Sequence, residues 1–222
     1  MIKAIIFDIG GVLAFDVWEN LLLDKKGGLA AKYNLDTQAV SQACAILWEK
    51  YAHQTTSNWE QMEKEYWLQF NHILGCTIPV EEIIQLTDKF IKPVDGMVDL
   101  LSTLVLQEIT LAICSDNTEF WFHRQARKLN LQAYIPSRNI ILSCRVGNSK
   151  SSQSFEMFEE VTNVLGVGRA ECLFVDDRSG PIVQAIQYGL VSILFPSHSP
   201  YGAQYIKSVL HEMNVLCKKG PE

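Results

Sequence analysis

Four polar positions in the 222-residue chain stand just beyond short apolar runs. Asp8 follows IKAIIF, Ser115 follows TLAIC, Lys150 comes a few residues after NIIL, and the pair Asp176-Asp177 follows CLFV. Each has an ordinary structural explanation by itself: Asp8 suits a turn, Ser115 a helix cap, Lys150 a solvated surface, and the Asp pair the cap of a helix beginning near Pro181. Together they assemble carboxylates, a hydroxyl and an amine, in an order that no second set in the chain repeats. Such groups can do chemistry if one scaffold brings them to a common point, and the ends of parallel strands are where that happens.

The scaffold is legible in the spacing. Ile2 to Phe7, Thr110 to Cys114, Asn139 to Leu142, Cys172 to Val175 and Val191 to Phe195 are short runs rich in β-branched or aromatic residues, without the polar alternation of a one-sided sheet. Between the later runs the pattern predicts helices over Met97 to Gln107, Glu119 to Leu129, Ser154 to Leu165, and Pro181 to Tyr188 with a stop at Gly189. Alternation of strand and helix with right-handed crossovers predicts an α/β fold, a doubly wound parallel sheet. Residues 16–91 break the alternation. Two apolar stripes at helical spacing, Val40-Cys44-Leu47-Tyr51 and Trp59-Met62-Tyr66-Phe70-Ile73, predict a small all-helical cap domain placed after the first strand. Residues 92–96 (KPVDG) read as the return hinge, so 1–15 and 92–222 form the α/β core and 16–91 the cap.

Composition removes several classes of partner. With 25 acidic and 19 basic residues and a formal net charge of −6, the chain would repel a phosphate backbone, so nucleic acid is not expected as a partner. The short pairs Lys25-Lys26 and Lys218-Lys219 read as solvated surface. Six cysteines, Cys44, Cys76, Cys114, Cys144, Cys172 and Cys217, show no zinc spacing and read as reduced thiols, mostly buried. No run approaches the roughly 18 apolar residues of a membrane span, and the first seven residues are too short for a secretory signal. A cytoplasmic protein without a membrane partner is the expectation.

Four segments resemble the motifs of the haloacid dehalogenase-like hydrolase superfamily, over essentially the whole chain. Residues 7–13 (FDIGGVL) are similar to its first motif, 113–117 (ICSDN) to its second, 146–150 (VGNSK) to its third and 173–177 (LFVDD) to its fourth, while the helical insert resembles the smaller cap after motif one. The resemblance implies a Rossmann-like core and a magnesium-dependent phosphatase of small phosphate esters that works through an aspartyl-phosphate. The physical logic is charge. A carboxylate attacking a phosphate dianion is repelled unless a divalent cation, a lysine and a hydroxyl compensate. Carried over by position, Asp8 is implied as nucleophile and metal ligand, the Gly10 carbonyl and Asp177 as further ligands, and Asp176 as support for the lysine and the metal shell. Ser115 and Lys150 would hold the phosphoryl group, with Asp116 and Asn117 beside them on the substrate side.

Three positions depart from the family pattern. Gly10 stands where the family usually has a second aspartate that serves as acid and base, so weak activity is expected unless Asp16 or Glu19 substitutes. Pro181 stands where an Asp or Asn usually supports the metal, and Asp116 replaces a common Asn. These departures keep open a weakened module that binds a ligand or protein through its cap. A haloacid dehalogenase is a further alternative, opposed by the Asp176-Asp177 pair and by the lack of any arginine before Arg124.

Overall fold

The computed structural model describes residues 1–197 and 201–216, the side chain of Glu19 excepted. Cys217 and Lys218-Lys219 therefore lie outside the described residues.

The five apolar runs become strands β1 (Ala4–Phe7), β2 (Thr110–Ser115), β3 (Ile140–Leu142), β4 (Cys172–Asp176) and β5 (Val191–Leu194). All pairings are parallel, in the order β3-β2-β1-β4-β5. The strands lack polar alternation because both faces are covered. Along β1, Ile5 and Phe7 enter one apolar cluster with Leu100, Leu104 and Ile206, whereas Ala4 and Ile6 enter another with Phe158, Phe174 and Ile182. Every residue of β1 and β4 is buried. The chain winds from β1 outward to β3 and then restarts at β4 on the other side, so β1 and β4 flank the point where winding reverses. That point opens a crevice at the strands' carboxyl ends.

The helical insert is seated on a paired stalk. After β1, Leu13 to Phe15 runs against Lys92 to Val94: Phe15 N donates to Lys92 O (3.0 Å), Val94 N to Leu13 O (3.0 Å), and Ala14 bridges Pro93 in antiparallel fashion. Between the two arms come a π-helical turn (Trp18–Leu22) and helices α1 (Leu29–Lys32), α2 (Thr37–Tyr51), α3 (Trp59–Leu74) and α4 (Val80–Phe90). Side chains start the long pair: Asp36 accepts from Ala39 N (2.7 Å) ahead of α2, and Asn58 from Gln61 N (3.3 Å) ahead of α3. Gly75 ends α3 with φ +62°, a conformation that costs glycine little.

The first predicted stripe, Val40, Cys44, Leu47 and Tyr51, is buried throughout. The second needs correction. Ile73 is 40% exposed, and the buried face of α3 instead runs through Met62, Glu63, Tyr66, Trp67, Phe70 and Asn71. The stripe is rotated because the helix packs on two sides, against α2 and against a helix from the later part of the chain.

The later helices are α5 (Met97–Leu106), α6 (Glu119–Leu129), α7 (Ser143–Val146), α8 (Glu156–Leu165), α9 (Ser179–Tyr188) and α10 (Ala203–Glu212). Helix α10 lies in a stretch without a predicted element, yet Ala203, Ile206 and Leu210 recur at helical spacing and are all buried. Helix α6 is shared. Phe120 and Trp121 join the insert's apolar cluster, while Phe122, Ala126 and Leu129 join the sheet's.

Candidate active site

Asp8 is the first residue past β1, and its backbone N–H still donates to Val175 O of β4 (2.9 Å), which fixes the carboxylate beside the end of that strand. The chain then folds back on itself, with the amides of Val12, Leu13 and Ala14 all directed at Ile9 O. Gly11 at φ +74° makes this turn and also makes room: a Cβ on it would stand 2.1 Å from Asp177 Oδ2. A glycine at position 11 is thus what lets the Asp177 carboxylate come so close to the β1 loop.

Asp176 ends β4 and is fully buried, with Oδ1 accepting from Arg178 N (2.8 Å) and Oδ2 from Lys150 Nζ (2.5 Å). Lys150 Nζ also stands 2.9 Å from Asp8 Oδ1, and its side chain is only 2% exposed. Burial by itself would lower the lysine's pKa, but Asp8, Asp176 and Asp116 overcome this and raise it well above the usual lysine range, so it is an ammonium. Asp116 accepts from the backbone N–H of Lys150 (3.0 Å), tying the loop after β2 to the loop that carries the lysine, and burial raises its carboxyl above the ordinary value. One ammonium thus stands among carboxylates that outnumber it.

The excess is chemical as well as numerical. Asp8, Asp176 and Asp177 each offer a carboxylate oxygen, all within 4.8 Å of one another. Asp8 Oδ1, though ion-paired with Lys150, accepts no hydrogen bond, and neither does the buried Asp177 Oδ1. Burial, and then Asp8 and Asp176, push the Asp177 carboxyl up to about 6. Carboxylates that crowd together and keep unsatisfied oxygens fit a hard divalent cation, which takes oxygen ligands and removes the repulsion.

Asp8 and Lys150 open onto a cleft of about 480 Å³ that is also lined by Gly10, Asp116, Asn117, Arg178 and Pro181, while Asp176 and Asp177 stand behind that lining. Ser115 is buried at the end of β2 and is absent from the cleft lining; the residues that follow it, Asp116 and Asn117, are the ones that line it. Asn117 is held on both sides, its N–H donating to Ser143 Oγ (3.0 Å) and its amide nitrogen to Gln125 Oε1 (2.8 Å). Pro181 sits in the first turn of α9, where its missing N–H is harmless, and gives the wall an apolar surface.

The step from Gly10 to weak activity is not borne out, since the carboxylate of Asp8 is in place at the cleft. Of the substitutes considered for Gly10, Asp16 lines the cleft but is engaged by Trp18 N (2.7 Å) and Arg178 Nη2 (3.3 Å), and the Glu19 side chain lies outside the described residues.

Trp121, Gln125 and Arg178 line the cleft without a signal in the linear pattern, while Trp18 and Trp48, two of the insert's four tryptophans, could not be told from core residues by their spacing. Trp121 and Gln125 are four apart on α6 and so share a face, which periodicity could have grouped but not aimed.

Among known proteins, the chain is similar to the chloroplast protein flavin mononucleotide hydrolase 1 of Arabidopsis thaliana, 33% identical over 101 residues, which is 46% of this chain and 39% of that protein. The match therefore spans well under half of that relative's length. In three dimensions it resembles L-2-haloacid dehalogenase from Xanthobacter autotrophicus (TM-score 0.62, 21% identity, 94% of this chain and 83% of that one). It also resembles the HAD family enzyme BT-2542 from Bacteroides thetaiotaomicron, solved with magnesium and inorganic phosphate (TM-score 0.60, 16% identity, 92% and 100%). Such identities speak for a shared fold. The family description "haloacid dehalogenase-like hydrolase" matches residues 2–187, most of the chain, and with strand order, insert and carboxylate site all agreeing, the protein belongs to the haloacid dehalogenase-like hydrolase family.

Proposed function

We propose that the protein is a magnesium-dependent phosphomonoesterase of small phosphorylated metabolites, acting through an aspartyl-phosphate. The observation that carries this reading is the buried carboxylate set with orphaned oxygens on Asp8 and Asp177 beside the Lys150 ammonium. The name of the Arabidopsis relative adds support, because flavin mononucleotide is a phosphate monoester.

In this reading residues 1–15 and 92–222 form the core and 16–91 the cap that covers the cleft. Asp8, the Gly10 carbonyl and Asp177 hold the cation, with Asp176 supporting them and orienting Lys150. When bound, magnesium neutralises the charge that gathers between a carboxylate and a phosphate. An oxygen of Asp8 attacks phosphorus, the bond to the alcohol oxygen breaks, and the departing alkoxide takes its proton from a solvent water, which is left as hydroxide. Water then attacks the acyl-phosphate and releases inorganic phosphate, returning Asp8 as a carboxylate. Lys150 holds the phosphoryl oxygens as a point charge that stays protonated throughout, Asp116 and Asn117 border the substrate, and Ser115 joins Lys150 only if its hydroxyl, buried behind the cleft lining, turns toward the phosphoryl group. A cytoplasmic location belongs to the same proposal; among the described residues no helix is long and apolar enough to cross a membrane.

The test is a screen of sugar phosphates, nucleotides and phospho-acids with magnesium present and then chelated. Turnover that stops on chelation is expected. No turnover of any ester, with magnesium bound by calorimetry, would leave the chain a binding module.

A further inference from the structure

Three tryptophans line the cleft, together with Val17, Ala45, Glu49 and Gln125. Trp18 comes from the π-helical turn, Trp48 from the last turn of α2 and Trp121 from the first turn of α6, and all three line the same 480 Å³ space as Asp8 and Lys150. A phosphoryl group needs only a small part of such a volume, which is in the range that accepts a whole metabolite.

The three rings are held differently. Trp121 is 4% exposed and braced from behind by Trp67 (centroids 5.8 Å, 89°) and Phe120 (5.2 Å, 39°). Its Nε1 is buried without a hydrogen-bond partner. Trp18 and Trp48 meet edge to face (6.1 Å, 71°) and are only half-buried. Trp18 is fixed where its chain enters the insert, its N–H donating to Asp16 Oδ1 (2.7 Å). On α2, Ala45 and Trp48 lie three apart on one face and both line the cleft, so a small exposed residue leaves space beside the ring. Half-buried indoles on a cleft wall gain by covering their faces with another π-system.

We propose that the substrate is a phosphate ester whose alcohol carries a planar aromatic or heteroaromatic ring, stacked against Trp18 and Trp48. This rests on the phosphate-ester reading of the same site and narrows it. Saturated sugar phosphates would reach the Asp8 end of the cleft and leave the indoles uncovered.

Two esters with the same carbon skeleton and closely similar leaving-group basicity separate stacking from simple apolarity: naphthylmethyl phosphate and its fully saturated decahydro analogue. The aromatic ester should show a KM about 2- to 10-fold lower, the range that ring-on-ring contacts contribute beyond their area. Trp48→Leu and Trp18→Leu should each shrink that ratio, and Trp48→Phe should restore part of it. Binding of the non-hydrolysable naphthylmethyl phosphonate, followed by quenching of indole fluorescence with magnesium present, reads the same contact without catalysis. A ratio of one or below, or a preference that survives both Leu variants, overturns the inference while leaving a phosphatase in place. If no ester turns over, ring binding that is lost in Trp48→Leu still supports the aromatic wall, and phosphonate binding no tighter than that of its saturated analogue removes it.

Discussion

Lys150 lies between Asp8 and Asp176 at the ends of β1 and β4, and Arg124 of α6 lies between Glu63 of α3 and Asp88 of α4. Both are buried cations among carboxylates. Around Arg124 the bonds are complete: Nε and Nη2 grip both oxygens of Glu63 (2.6 and 2.5 Å), and Nη1 reaches Asp88 (2.8 Å), whose side chain is mostly exposed. Around Lys150 they are not, since among the described residues Asp177 Oδ1 accepts no hydrogen bond and Asp8 Oδ1 has only its ion pair with Lys150. A satisfied pair holds the insert to α6, together with the Trp59–His123 stack (5.2 Å) and the Ser143 hydroxyl donating to Ala52 O (3.3 Å). An unsatisfied one waits for a ligand. Burial and charge type are alike in the two regions, so the degree of hydrogen-bond completion is what separates a seam from a site.

The comparison can be broken most sharply at Asp8. Asp8→Asn should lower phosphate-ester turnover by about 10³-fold or more, since an amide cannot supply the attacking oxygen, while the far-UV spectrum stays that of the folded chain. Turnover within tenfold of the native protein would remove Asp8 as nucleophile. At the seam the large effect should be on stability. Arg124→Ala strands Glu63, which is fully buried, and should cost about 3–5 kcal/mol in urea unfolding. Pairing it with Glu63→Met should recover much of that loss, because the stranded charge is gone; no recovery would mean that Arg124 acts through packing instead.

Magnesium sharpens the contrast from the other side. At about a hundred times its dissociation constant it should stabilise the fold by roughly 2.7 kcal/mol, in the native protein and in the seam variants alike, but not in Asp177→Asn. The pH dependence has a definite sign. Asp177 titrates near 6 in the fold, above its ordinary 3.8, so its contribution favours the folded state at low pH, is full below about 3.8 and is lost as pH rises through about 6. Without metal, Asp177→Asn should therefore melt higher than the native chain at pH 7.5, by roughly 2–4 °C once its partial exposure is allowed for, and the gap should close by pH 4.5. A gap that widens on acidification would reverse the assignment. The smallest effect belongs to Asp88→Asn, an exposed partner of Arg124, which should cost no more than about 1 kcal/mol and leave turnover alone.

Strands, winding and insert were readable because each depends on local pattern. Parallel strands covered on both faces must be continuous apolar runs, and an insert of paired helices must carry apolar residues at three and four. The carboxylates and Lys150 were readable for a related reason: strand ends are marked in the chain, and parallel winding brings the ends of β1, β2 and β4 and the loop after β3 to one edge of the sheet. Position along the chain could not reveal partnership across it. That α6 divides its apolar residues between insert and sheet, that Glu63 faces an arginine 61 residues away rather than water, and that Trp18, Trp48 and Trp121 come to one wall depend on how the insert sits on its stalk. The sequence by itself determined which residue types stand at the strand ends. Only the tertiary structure decided which buried charges are satisfied and which are left over, because hydrogen-bond completion is a property of three-dimensional neighbours.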